Sequence, residues 1–401
     1  MILFMLGVLT AAAGPVTPLT ADQAVSQAQT RSATIARSMS NIGRTEGVVS
    51  AECGLRNDPT LRGSTAVVGE AWSLSLVQPI SLTGEGRAAC SGARRTHEAA
   101  VATAQRVQLE VAAETRRAWV GAVVARQQRQ IAERALAAAQ EIEASARKRQ
   151  AVGEASQLDL RLARLQVERV RTAWMFATVE EGRQLADLSG QVGVEVEGLT
   201  LPKDPLSGVV VPVEGDGGRR ADGVAAVATA SAAAAAVRRE RVGTLPAVGL
   251  GVFVGEDGDE LRAGPSLSVT LPVWRGNTDG RADAHAALVE ADAERDATER
   301  RVAAERATSG RATRVLEAAL ADQGGDIPAE AQAALASVVL GYGRGELDLL
   351  STSQLQAEIL AGHSAWLRGR EVVAYARLDR LLAQGDRRLL GEEGGVELKV
   401  R

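Results

Sequence analysis

The chain has 401 residues, 45% apolar and 24% charged, with 41 Gly and 11 Pro, which excludes collagen-like, disulfide-dense and wholly disordered classes. A net charge of −4 argues against a basic nucleic-acid surface. Ten aromatics (5 Trp, 3 Phe, 2 Tyr) are few for a large globular core, so alanine and straight-chain residues must carry the packing, as they do along a seam of long helices.

Residues 1–13, MILFMLGVLTAAA, read as a signal peptide, with an A-x-A-like site at Ala11–Ala13 but no basic start, the first Lys or Arg being Arg31. No Cys follows the run directly, so no lipid anchor is expected. No later apolar run reaches the ~18 residues of a spanning helix. A helix is expected from Leu19 to about Ser50, with Ala24, Val25 and Ala28 on one side, and Asn57-Asp58-Pro59 breaks it. Ser73-Leu74-Ser75-Leu76 alternates as a two-faced strand does. From about Gly92 to Ala151 there is no proline, which predicts a helix of about 90 Å with Ile131, Ala135, Ala138 and Ile142 as its seam. Gly153 interrupts it, and a second helix to about Ser189 carries Leu158, Leu162 and Leu165 in the same rhythm.

Residues 191–220, rich in Gly, Pro and Val, read as a linker, after which the pattern returns. A helix is expected at about 221–243, strands at about 246–254 and 264–273, and a long helix from Arg281. A break at Gly324–Pro328 and an interruption at Gly345 divide the remaining helical stretch, and the last helix ends near Ala383. Residues 385–401 read as a flexible tail. Ser73–Ile80 overlies Ser266–Val273 at an offset of 193, Gly86-Arg87-Ala88 overlies Gly280-Arg281-Ala282 at 194, and Gly153-Glu154 overlies Gly345-Glu346 at 192. Residues 14–190 and 221–384 are therefore two copies of one helix, hairpin, long helix, turn, helix unit.

Two hairpins give four strands, too few to close a barrel. Open edges cannot sit in lipid, where each unpaired backbone group costs several kcal/mol, so an amphipathic four-stranded sheet must pack on a core or join copies of itself. Three copies would supply twelve strands, within the range of membrane barrels. The aliphatic positions Leu74, Leu76, Leu267, Val269 and Leu271 are then expected to face lipid.

Several stretches resemble the TolC family of outer-membrane efflux proteins. Leu19-Thr20 with Ala24-Val25 is similar to its opening helix, and Asn57-Asp58-Pro59-Thr60 to the entry of its first strand. Glu70–Ile80 with Gly86-Arg87 is similar to its strand-to-helix signature. Arg147, Gly153, Ser156, Leu158 and Asp159 resemble its first helical turn. Tyr342, Gly345, Glu346 and Leu349-Leu350 resemble the second, in a form close to heavy-metal-efflux members. The resemblance covers about 19–384 and implies a mainly α fold with β: long antiparallel coiled-coil helices and two hairpins, trimerising into a 12-stranded β-barrel on an α-helical barrel. It implies a passive duct in the outer membrane with a periplasmic extension, a homotrimer contacting outer-membrane lipid and docking to a periplasmic adaptor (membrane fusion) protein and an inner-membrane pump. Ser351 stands where family members often carry an acid, with Asp348 three residues before it, and Trp72 and Trp274 are the tryptophans near strands.

At the matching turns, Gly153, Glu154, Asp159, Gly345, Glu346 and Asp348 are expected to line the tip or aperture, with Arg147, Arg149 and Arg344 as ion-pair partners. Helix-end capping is the competing role for Asp159 and Asp348. Cys53 and Cys90 flank the first hairpin and form either a disulfide or two unpaired thiols. His97, His285 and His363 share no ligand spacing, so no metal site and no cofactor are expected. Gly249-Leu250-Gly251 precedes hairpin-turn residues rather than a helix, so it is no phosphate loop, and no nucleophile and base pair up to suggest an enzyme. A periplasmic adaptor or a coiled-coil structural protein would explain the helices, but neither uses a duplicated two-faced hairpin.

Overall fold

The computed structural model describes residues 19–54, 59–65, 72–80, 84–196, 202, 204–209, 211–212, 219–242, 247–257, 260–270, 277–322 and 326–391. The signal-like run at 1–13, Asn57, Asp58, Leu271 and Trp274 lie outside these residues. In chain order the elements are α1 (Ala21–Arg31), α2 (Ala33–Cys53), β1 (Thr60–Thr65), β2 (Trp72–Ile80), α3 (Glu85–Ala151) and α4 (Gln157–Val192). Then come α5 (Ala221–Val242), β3 (Ala247–Asp257), β4 (Glu260–Thr270), α6 (Thr278–Ala321), α7 (Ile327–Arg344) and α8 (Leu349–Gln384). Short 3-10 turns occupy Pro205–Gly208 and Arg387–Leu390.

Local chemistry sets these boundaries. Thr20 accepts from the Gln23 amide while the Gln23 side chain accepts from the Thr20 amide, a capping box that starts α1. The expected first helix is two, because Ser32 takes an extended conformation between α1 and α2. Helix α3 begins at Glu85, earlier than expected. Gly92 lies inside it against α5, where a Cβ would make ordinary contact with the Ala235 Cβ at 3.5 Å, so packing there does not itself require glycine. Asp326 caps α7, with Pro328 in its first turn.

The chain forms two compact units, one of residues 1–32, 109–215 and 308–397, the other of 33–108, 216–307 and 398–401. Each draws on both sequence repeats, so a repeat is a unit of duplication and not of packing. In the first unit, Ala24 and Val25 of α1 pack with Val120 and Val123 of α3, Leu188 of α4, and Leu378 and Leu381 of α8. Two expectations need correcting here. The expected linker enters this core through Leu206 and Val209, and Asp204 accepts from Arg370 of α8 at 2.6 Å. The tail expected to be flexible from Gly385 starts later, because Leu389 and Leu390 are buried and the Leu389 carbonyl accepts from buried Arg116 of α3 at 2.9 Å. Arg116 also pairs with Asp22 of α1.

The seam of α3 faces inward, with Ile131, Ala135, Ala138 and Ile142 all buried. On α4 the expectation fails. Ala163, Val167 and Val170 are buried, while Leu158, Leu162 and Leu165 are exposed, Leu165 at 66%. Alanine at 135, 139 and 163 lets the helices approach closely, and the leucines are left on another face.

In the second unit the sheet runs β1-β2-β3-β4, antiparallel throughout, so β1 and β4 are its edges. Cys53 at the end of α2 is disulfide-bonded to Cys90 of α3, with Cα atoms 4.8 Å apart. Nearby, Thr45 of α2 hydrogen-bonds His97 of α3 at 3.0 Å. Buried Arg220 binds Asp222 at the start of α5 and Glu305 of α6. Burial pushes the Asp222 carboxyl up, but the Arg220 guanidinium, the Arg106 charge and the backbone amide of Gly223 together outweigh it and hold the group below its usual range.

Candidate functional site

Directly paired residues of an antiparallel sheet lie on the same face. Leu76 pairs with Leu61 and Val252, and Leu74 with Val254. Leu267 pairs with Leu250, and Val269 with Val248. Leu74, Leu76, Leu267 and Val269 thus share one face. It is uncovered in the chain, with Leu61 at 65% and Leu267 at 69% exposure. Trp72 is on this face near the β1–β2 turn, and its indole N–H donates to Glu256 at 2.7 Å.

The opposite face carries small residues. Ser64 and Ser73 hydrogen-bond across β1 and β2 at 2.7 Å. On β3 the positions facing this way include Gly249, Gly251 and Gly255, and they must be glycine. A Cβ at Gly251 would lie 2.1 Å from the Leu76 carbonyl oxygen, and one at Gly249 would lie 2.5 Å from Ser268 Oγ. Gly249-Leu250-Gly251 is therefore strand, and its glycines let neighbouring serines lean across. With small side chains on one face and branched ones on the other, the sheet favours curvature toward the serine face. The alternation was visible in the sequence, whereas the reason for the β3 glycines needed the neighbouring strands.

The two matching turns are both in the first unit and repeat the same backbone solution. Gly153 and Gly345 have φ of +82° and +78°. The Glu154 amide donates to the Arg149 carbonyl and the Glu346 amide to the Gly341 carbonyl, each at 2.9 Å, so each preceding helix ends in a Schellman motif. The caps of the next helices are reversed between the halves. Ser156 Oγ accepts from the Asp159 amide at 3.1 Å, and the Asp159 carboxylate accepts from the Ser156 amide at 2.9 Å. In the second half Asp348 is the cap, accepting from the Ser351 amide at 2.6 Å. That amide, with the Ser351 hydroxyl, holds the Asp348 carboxyl below its usual range. The serine found where an acid was expected is one half of this exchange.

One side chain joins the two turns. Arg149, on the last turn of α3, lies over the Tyr342 ring with its guanidinium carbon 5.3 Å from the centroid, and donates to the Tyr342 carbonyl at 3.2 Å. Its Nε is 3.9 Å from Glu154. Burial, more than any neighbouring charge, pushes the Tyr342 phenol up. Tyr342 packs with Ile142, Ala146, Ala163, Val339 and Leu349. The arrangement brings Arg149 to Glu154 and to the second turn, but Arg147 pairs with Glu143 at 2.8 Å instead of with a turn acid. Sequence reading gave Arg149 only an acid partner. Its contact with Tyr342 has no local signal, since the two are 193 residues apart.

An apolar groove of about 460 Å³ lies between α3, α7 and α8, lined by Ile131, Leu335, Val339 and Leu360 with Arg134 and His363 at its polar side. Burial, and then the Arg134 charge, push the His363 imidazole below the ordinary histidine value. Among the described residues no cluster of His, Cys, Asp and Glu has metal-site spacing, and no helix is long and apolar enough to cross a membrane.

Residues 60–189 match the profile of the outer membrane efflux protein family. No curated protein sequence matches the chain. Among solved structures, a membrane protein from Pseudomonas aeruginosa superposes with a TM-score of 0.75 at 18% identity, over 92% of this chain and 93% of that one. The outer membrane protein VceC from Vibrio cholerae gives 0.73 at 18%, over 91% and 96%. The open state of the Neisseria gonorrhoeae MtrE outer membrane channel gives 0.73 at 17%, over 91% and 88%. The resemblance to the TolC family and the mainly helical fold with two hairpins are borne out.

Proposed function

We propose that three copies of this chain form a passive efflux duct of the outer membrane. The observation that carries this reading is the four-stranded amphipathic sheet with its aliphatic face uncovered and β1 and β4 left as edges. Pairing β4 of one copy with β1 of the next satisfies both edges, and twelve strands close with the aliphatic face outward and the serine face lining the lumen. Leu74, Leu76, Leu267 and Val269 then meet lipid. The helical part is the periplasmic extension, and the exposed leucine stripe of α4 is where a neighbouring copy packs. The Cys53–Cys90 bridge supports the reading, because such bonds persist in the oxidising envelope and not in the cytosol.

The two turns are the tip. Glu154 and Glu346, directly after the turn glycines, are the acids of the aperture, and Asp159 and Asp348 hold the first turns of α4 and α8. The tip docks to a periplasmic adaptor, which links it to an inner-membrane pump. An adaptor or a soluble coiled-coil scaffold leaves the uncovered aliphatic face without a purpose. Mass measurement in detergent, followed by conductance in planar bilayers, tests the reading. A trimer that forms steady pores is expected, and a stable folded monomer without detergent would end it.

A further inference from the structure

The serine face of the sheet is not uniform along the strands. One cross-strand row consists of Arg62, Ser75, Phe253 and Gly264, in that order across β1 to β4. Among the described residues, rows nearer the helices carry no charged residue on this face, and there the pairs Gly251–Ser266 and Gly249–Ser268 are typical. In the next row toward the hairpin turns is Arg262, which has Glu260 at 3.4 Å. Arg62 is exposed, and among the described residues no carboxylate pairs with it. Phe253 is the bulkiest side chain on the face. It lies over Gly264, where a Cβ would come within 3.2 Å of the ring, so the missing Cβ makes its room.

Granting the barrel reading, we propose that Arg62 and Phe253 form a selectivity band inside the pore, which takes organic anions with a flat apolar body. The two positions are two strands apart, about 10 Å. A guanidinium pairs in bidentate fashion with a carboxylate, sulfonate or phosphate. Phe253 offers an apolar surface to the rest of the same solute. Three chains repeat the pair around the lumen, and the low-dielectric wall concentrates the field of the arginines on whatever passes. Cations meet repulsion there, and a neutral solute meets only the three rings.

The test is block of single-channel current at low salt by pyrene-1,3,6,8-tetrasulfonate, with spermine as the cationic control. In the unaltered trimer the tetrasulfonate should block from the hairpin side, and spermine added there should not. Arg62→Gln should raise the half-blocking concentration at least about tenfold, as loss of a charge-assisted pair implies. Phe253→Ala should raise it by about threefold or more, as loss of an aromatic contact implies. Arg62→Lys, which keeps the charge, should retain most of the block and shows that the pore tolerates change at this position. Pores that form normally but are blocked equally in Arg62→Gln and the unaltered protein would overturn the band and leave the duct standing. Failure of the unaltered protein to form pores at all would overturn both.

Discussion

Ser156 and Asp159 in the first half stand where Asp348 and Ser351 stand in the second, and the exchange separates capping from charge. An N-cap needs an oxygen to accept a backbone N–H, and Ser, Asp and Asn all supply it. Ser156→Ala should therefore cost about 1 kcal/mol in unfolding, whereas Ser156→Asp with Asp159→Ser should cost little, since it copies the second turn. Thermal unfolding of the trimer distinguishes these outcomes. The same logic tests the aperture. Asp159→Asn with Asp348→Asn keeps the caps and removes two charges, so conductance should stay near that of the unaltered protein, while Glu154→Gln with Glu346→Gln should raise it. A rise in the first pair alone would return the gate to the aspartates.

His363 adds a pH dependence. Its folded value lies below the ordinary one, so the unfolded state binds more protons between the two. Its contribution should therefore fall as pH drops through about 6.5 and level off below the folded value. His363→Gln should flatten that part of the stability curve, measured by thermal unfolding from pH 8 to 5 (roughly the histidine range).

At the scale of elements, periodicity identified α3, α4, β2, β3 and β4, because a seam or an alternation is written in consecutive residues, whereas β1 followed only from the duplication and the family resemblance. It misjudged which face of α4 is buried, since Leu158, Leu162 and Leu165 keep the same rhythm as the buried Ala163, Val167 and Val170. Choosing between two stripes on one helix requires the partner, which is distant in sequence. The linker and tail were misread for a similar reason. Gly and Pro are loop signals, but Leu206 and Leu389 are held by residues of α3 and α8 that composition does not reveal. The backbone of the two glycine turns was legible, because glycine at positive φ followed by a Ser or Asp cap is a local signal, whereas the Arg149 contact that joins them was not.

The outward stripe of α4 includes Phe176 at 72% exposure and Leu165. Leu165→Lys with Phe176→Lys should change the stability of an isolated chain by no more than about 0.5 kcal/mol per site, yet it should prevent trimer assembly. Native mass in detergent reads the second effect. The disulfide closes a sequence separation of 37. Cys53→Ser with Cys90→Ser should cost about 4 kcal/mol on the chain-entropy account, seen as a lower unfolding midpoint.

For the whole molecule, the proposed barrel sets the two faces of the sheet in different solvents. Val269→Arg should cost about 2–4 kcal/mol and reduce insertion, whereas Ser268→Arg should be tolerated apart from its effect on the lumen. Heat-resistant trimer on a gel, quantified after membrane extraction, measures both, and equal losses would contradict the assigned faces.

The pairing of β2 with β3 also sets a timetable for biogenesis. Strand β2 ends at Ile80 and its neighbour begins at Ala247, so on the proposed outer-membrane reading the first hairpin emerges from the export machinery long before its partner is available. During that interval it offers an apolar face and two open edges to every other nascent chain in the compartment. Cys53 and Cys90, by contrast, are both present once the first ninety or so residues are across. The bond can therefore close early and hold the foot of the hairpin in register while the rest of the chain arrives. A thiol oxidase acting on the incoming chain would thus set the yield of assembled channel, even though the finished channel has no further need of it.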